Sequence, residues 1–326
     1  MNKTLIIIQR EYLTRVRKKS FIIMTLLTPL LMIALIGTPV WLESMNQRST
    51  LANKSETKEI ELLLQEAGIE VKETIQWSEN SEEKEKFAES ALIIGMATAV
   101  LIYFFILIYG AQVMRGVVEE KANRIVEIII SSVKPFELMI GKIVGIALVG
   151  LTQFLIWAVL IVVLLAAFGN NINAFSVDSM TPVFSSFNFA AILFFFIIYF
   201  LGGYLLYASL FAAIGAASDN ETDTQQFMLP VILPVLFALF AAIHSMNNPD
   251  GSLAFWTSMI PFTSPIVIMV RIPMGVPAWE LIVSILLLLL SFIGTTWIAA
   301  KIYRTGILMY GKKVNYREVW KWMKYK

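Results

Sequence analysis

The sequence predicts an all-α integral membrane protein, and three observations carry that prediction. The 326-residue chain is 57% hydrophobic and 15% charged, against about 45–50% and about 25% in ordinary soluble domains. Its apolar residues gather into runs of about 20, the length that crosses ~30 Å of hydrocarbon as a helix. Its Lys and Arg gather too, in segments that alternate loops would place on one side of a membrane. Six transmembrane helices follow, with an N-terminal amphipathic surface helix and a re-entrant outer segment before the last span. The composition excludes a soluble globular enzyme and a disordered chain. With no cysteine there is no disulfide scaffold, thiol nucleophile or Cys metal site. A net charge of +2 is too small to imply nucleic acid.

The elements are justified in chain order. Residues 1–20 place Leu5, Ile8, Tyr12 and Val16 on one helical face and Arg10, Arg17 and Lys18 on others. That pattern suits either an interfacial helix over anionic lipid or a plain basic flank, and both put the arm in the cytoplasm. Span one is 21–42. Residues 43–90 form a short acidic outer loop or domain with twelve Glu and a net charge of −6. Spans two, three and four are 91–114, 143–168 and 189–217. Span five, 227–243, is short and holds Pro230 and Pro234, which predict an earlier start and a kink. Residues 253–273 are apolar but hold Pro261, Pro265, Arg271 and Pro273, so they read as re-entrant rather than spanning. Span six is 281–300, followed by a basic tail, 301–326. Apart from that re-entrant segment, no Asp, Glu, Lys or Arg lies within these runs, where each would cost several kcal/mol.

Orientation follows from the cations. The N-terminal arm, residues 115–142 and the tail together hold 19 of the 26 Lys and Arg. Six spans with both termini cytoplasmic put all 19 on one side, as the positive-inside bias requires. The expected location is the cell membrane, multi-pass, in the manner of a bacterial inner-membrane protein.

The cytoplasmic loop 115–140 is the most informative stretch. Val118, Ile125, Ile128 and Ile129 line up at helical spacing, Glu120 and Arg124 form a favourable i,i+4 pair, and Ser131, Ser132 and Pro135 stop the helix. Such a helix either touches a partner or packs as a stub on its own bundle. The second inner loop, Ser218 to Gln226, is acidic and has no Lys or Arg. Helix capping by Asp219 or Asn220 is favoured there over partner contact.

Catalytic and cofactor signatures are not found. There is no H-E-x-x-H and no G-x-S-x-G, and the single His244 sits at a span end. Gly306-Ile-Leu-Met-Tyr-Gly311-Lys312-Lys313 falls short of a phosphate-binding loop, because Ser or Thr is missing after the lysine and no strand precedes it. Gly306 reads as a helix stop and the lysines as a membrane-surface patch. No catalytic residue, cofactor or metal site is expected, and no ATP hydrolysis on this chain. Gly141-Lys-Ile-Val-Gly145 and Gly202-Gly203 suggest close helix contacts, the former weakly a dimer seam.

One stretch carries a family resemblance. Arg115-Gly-Val-Val-Glu-Glu-Lys-Ala-Asn-Arg-Ile-Val-Glu-Ile-Ile-Ile-Ser-Ser-Val-Lys-Pro-Phe-Glu-Leu-Met-Ile-Gly-Lys-Ile-Val-Gly145 resembles the segment between the second and third spans of type-2 ABC exporter (ABC-2) permeases, most closely the sodium-export branch. Gln9-Arg10-Glu11-Tyr12 and Leu210-Phe211-Ala212-Ala213-Ile214-Gly215-Ala216 support it. The resemblance implies a six-span permease subunit of an exporter, paired with a second copy or a homologous permease in the lipid bilayer and driven by a separate ABC ATPase. It also implies that Glu119, Glu120, Lys121, Arg124 and Glu127 lie on the coupling helix that docks in that ATPase. Asp219, Glu221 and Asp223 are the second candidate contact. Permeases of this branch usually carry a larger domain between the first two spans than the roughly 48 residues here, Glu43 to Ser90. That short loop motivates a rival reading as a non-transporting membrane anchor or assembly factor. An ion-coupled secondary transporter is a third, poorly supported because the spans lack midplane carboxylates.

Overall fold

The structure, a computed structural model, describes residues 3–23, 25–27, 29, 71–168, 187–309 and 316–323. Most of the predicted first span, 21–42, and most of the outer loop, 43–90, lie outside the described residues. Every regular element described is helical: α1 Lys3–Val16, α2 Val71–Ala122, α3 Ile125–Ile130, α4 Pro135–Phe168, α5 Phe189–Ala217, α6 Glu221–Asn247, α7 Ser252–Met259, α8 Ser264–Arg271, a 3-10 turn Ile272–Met274, α9 Ala278–Gly306 and α10 Tyr316–Trp322. Five are long and apolar enough to cross a membrane, over Ser90–Ala122, Pro135–Leu160, Phe189–Ala217, Thr222–Asn247 and Ala278–Gly306. The protein is therefore an all-α, multi-pass membrane protein.

The chain divides into two compact units. The larger comprises Met1–Lys18, Ala91–Thr152 and Phe189–Lys326; the smaller comprises Lys19–Ser90 and Gln153–Asn188. Within the smaller, the Trp157 indole donates to the Thr25 carbonyl at 2.8 Å, and Phe87 stacks on Phe187 with ring centroids 4.7 Å apart. Leu155, Val159, Val162 and Val163 form an exposed apolar face of α4, as expected of a helix surface facing acyl chains.

In the larger unit α5 is the central helix. Tyr199, Phe200, Tyr204, Tyr207 and Phe211 are all buried along it. The Tyr204 hydroxyl donates to the Ile143 carbonyl at 2.9 Å, and the Tyr207 hydroxyl to the Phe262 carbonyl at 2.6 Å. Both satisfy polar tips that would otherwise be costly in an apolar interior. Gly202 and Gly203 give α5 room for close neighbours. A side chain at Gly202 would strike Leu288 of α9, and one at Gly203 would strike Pro265 of α8.

Residues 252–274 form no helix long enough to cross a membrane. α7 and α8 have eight residues each, about 12 Å of helix against ~30 Å of hydrocarbon. The prolines divide the segment. Pro261 lies between the helices, Pro265 opens α8, and Pro273 interrupts the chain beyond it. Every residue of α8 is buried. The Thr263 hydroxyl caps the junction by donating to the Ile260 carbonyl at 3.1 Å, and Ser284 of α9 donates to the Ser258 carbonyl at 2.7 Å. Arg271 is buried, and it is paired with Glu280 of α9 at 2.8 Å. Its guanidinium also donates to the Pro249 carbonyl at 2.7 Å and to Ser258 Oγ at 3.2 Å. A charge that argued against burial is thus fully accounted for by its partners.

Candidate functional site

The candidate residues gather at one end of the larger unit. The α2 helix does not stop where its apolar run stops. It continues to Ala122, through the single Gly116, because Glu119, Glu120, Lys121 and Ala122 are good helix formers. The break comes at Asn123 and Arg124, where Arg124 adopts φ +54°, an unusual left-handed conformation for a non-glycine residue. The expected continuous helix through this loop is therefore replaced by a turn and the short α3. The turn changes the helical phase, so the predicted stripe of Val118, Ile125, Ile128 and Ile129 is not one face. Val118 and Val126 are buried, whereas Ile125 is 41% and Ile128 75% exposed.

The turn sorts the five predicted coupling residues into two groups. Glu119, Arg124 and Glu127 point outward and are exposed. Glu120 and Lys121 point into the bundle and are buried. Lys121 Nζ lies 2.9 Å from Asp219 and donates to the Ala216 carbonyl at 2.8 Å, tying α2 to the end of α5. This changes the reading of the second loop. Asn220 occupies the N-cap position of α6 without a side-chain cap bond, and Asp219 serves as counter-ion to Lys121 rather than as a cap. Asp223 is half-buried, and Glu221 begins α6 with its side chain outside the described residues.

Glu120 belongs to a second, larger ionic cluster. Its Oε1 pairs with Arg10, and with Lys142 Nζ at 3.2 Å. Lys142 also lies 3.3 Å from Glu11, which pairs in turn with Arg10 at 2.7 Å and with Arg15. Burial alone would push the Glu11 carboxyl up, but the cations of Lys142, Arg15 and Arg10 hold it down at about 2. Three cations and two carboxylates from α1, α2 and α4 thus fasten the N-terminal helix to the foot of the helix that leads into the turn.

The seat of α1 is the Gly141-x-x-x-Gly145 step. A side chain at Gly141 would collide with Ile7, and one at Gly145 with Glu11. The motif is filled within the chain, by α1, not by a second copy. The face of α1 that packs into the bundle is Ile7 and Glu11, beside the apolar stripe of Leu5, Ile8, Tyr12 and Val16. Leu5 is 56% exposed, because the charged cluster fixes the rotation of the helix. Lys3 reaches past α4 to the far end of the loop, donating to the Ser132 carbonyl at 2.6 Å. Beside it lies a shallow cleft of about 450 Å³ lined by Lys3, Ile130 to Pro135 and Glu137.

Arg10, Glu11, Arg15 and Lys142 are not among the candidate site residues read from the sequence. One signal was available: Glu11 is the sole carboxylate among the first 20 residues.

Comparison with known proteins fits this architecture. The sequence profile of the ABC-2 family transporter proteins matches residues 41–301. The chain is 32% identical over 229 residues to the uncharacterized protein YhaP of Bacillus subtilis, a match covering 67% of this chain and 52% of the relative. It is 27% identical over 238 residues to the uncharacterized protein MJ1024 of Methanocaldococcus jannaschii, covering 73% and 55%. The chain thus spans about half the length of the curated relatives it matches. No solved structure matches it significantly.

Proposed function

Because the chain belongs to the ABC-2 transporter family, we propose that it is the membrane subunit of an exporter driven by ATP hydrolysis on a separate ATPase, and that the turn between α2 and α4 is where the ATPase docks. Membership makes it a transmembrane transport component; export, the energy source and the docking site are our reading. One observation carries that reading. The turn presents Ile125 and Ile128 to solvent between the exposed charges of Glu119, Arg124 and Glu127, while Glu120 and Lys121 anchor it from behind. An apolar residue ringed by charge and backed by buried ion pairs is a rigid knob suited to a protein cleft. Force applied there reaches α2 and α5 through Lys121, and α1 and α4 through Glu120. In this reading both termini and the turn face the cytoplasm, in keeping with the 19 basic residues that share that side. The permease would pair with a second copy or a homologous permease.

The test is co-purification with the ATPase. Reversing the outward charges (Glu119→Lys, Arg124→Glu and Glu127→Lys together) should reduce recovery of the ATPase at least tenfold while insertion and melting are preserved. A triple variant that is folded and binds normally would remove the docking assignment. Glu120→Gln, by contrast, should weaken the fold before it weakens binding.

A further inference from the structure

Helix α10 folds back on the end of α9 at a defined depth. Trp322 is 4% exposed and packs against Gly306, where an added side chain would meet its ring at 3.1 Å. Lys301 of α9 donates to the Met323 carbonyl at 3.3 Å, and its ammonium also sits 4.1 Å from the centroid of the Trp297 ring. Trp297 is 62% exposed on a membrane-length helix. An exposed Trp with a Lys one turn beyond it, its stem along the ring and its charge toward the helix end, marks the boundary between acyl chains and headgroups. The bond from Lys301 therefore holds the C-terminal end of α10 at headgroup depth.

The remaining surface of α10 has one character. Arg317, Trp320 and Lys321 are exposed and stand at i, i+3 and i+4, which is one helical face. Trp322 occupies the inward side. Residues 301–326 hold eight Lys and Arg and a single acid, Glu318, which is half-buried one turn before Lys321. A face of two cations around an amphipathic ring, fixed beside the bilayer boundary, complements phosphate above and glycerol below.

We propose that the Arg317–Trp320–Lys321 face of α10 binds the headgroups of anionic phospholipid, so that the tail clamps the end of the last membrane helix to a negatively charged leaflet. The depth set by Lys301 and Trp297 favours lipid over a protein partner, which would need the face to stand clear of the bilayer. The proposal rests on the membrane architecture and not on the docking site, so either can fail alone.

The test uses the full chain in nanodiscs containing phosphatidylglycerol or phosphatidylcholine brominated near the headgroup. The Trp320 signal is the difference in emission between the native chain and Trp320→Phe. Brominated phosphatidylglycerol should quench that signal at least about twofold more than brominated phosphatidylcholine, since each basic group near an anionic surface favours it about fivefold. Arg317→Gln with Lys321→Gln should erase the preference, and Arg317→Lys should keep it. Equal quenching by the two lipids would overturn the headgroup assignment. Quenching by aqueous acrylamide but by neither lipid would overturn it too, and would give the face to a water-exposed protein contact.

Discussion

The two ends of the larger unit solve the problem of buried charge in different ways. At one end, Arg271 and Glu280 are nine residues apart in sequence and pair within a local hairpin, with the Pro249 carbonyl and Ser258 Oγ accepting further guanidinium donors. At the other, Arg10 and Glu11 meet Glu120 and Lys142 across more than 100 residues of sequence, and the five-charge cluster leaves one Glu120 oxygen buried without a hydrogen bond. The first is a closed staple whose partners are satisfied. The second is an open junction with a surplus cation, next to exposed surface. A staple fixes a shape, whereas a shared network can re-pair when one of its helices shifts, which suits an end that must respond to a partner.

Breaking the staple should have the largest effect. Arg271→Ala leaves Glu280 buried and alone, at about 3–5 kcal/mol. The melting temperature in detergent should drop sharply, and Arg271→Met combined with Glu280→Leu should recover most of the loss. An equal loss in the double variant would mean that the pair is not the source of the stability.

The junction should respond to acid. Because its folded value is depressed, Glu11 contributes to the docking of α1 above its ordinary value of 4.5, and that contribution is lost as pH falls toward about 2. The full shift corresponds to about 3 kcal/mol. Acid-stable proteolysis should cut the N-terminal arm increasingly over that window, and Glu11→Gln should make the arm equally susceptible at neutral pH. A flat profile would show that the seat, and not the charge, holds α1.

The seat itself is the next contrast. Gly145→Val places carbon where Glu11 and the Ile8 carbonyl already lie, an overpacking of about 1–3 kcal/mol that should release α1 without disturbing the hairpin. Trypsin cleavage near Arg15 and Arg17 would report it. The smallest effect belongs to the outer side of the turn. Glu119→Lys and Glu127→Lys should change stability by no more than about 0.5 kcal/mol, as judged by melting, because those side chains meet only solvent until a partner arrives.

The sequence was most legible where a single physical rule dominates. Apolar length alone picked out the five described helices long enough to cross a membrane, and Pro261, Pro265 and Pro273 anticipated the broken helices of 252–274. The ends of helices were less legible. Buried Ile102, Ile106, Tyr109, Val113 and Val117 recur along α2 at steps of three or four, and the next step is Glu120. Following that phase beyond the apolar run would have turned Glu120 inward. The break at Arg124 offered no such cue, since no glycine or proline marks it. The rotation of α1 was illegible for another reason. Its apolar residues point one way, but its orientation is set by Arg10 and Glu11, whose partners Glu120 and Lys142 lie on two distant helices.

The placement of α1 also fixes an order of assembly. Glu11 and Lys142 are 131 positions apart, so the first helix leaves the ribosome long before the glycine step that receives it has been made. Until Glu120 emerges, Arg10 and Arg15 have no carboxylate of the cluster beside them other than Glu11. A nascent arm of this kind must wait somewhere, and its exposed leucine and surplus guanidiniums suit it to rest on an anionic bilayer surface until α4 is in place beneath it.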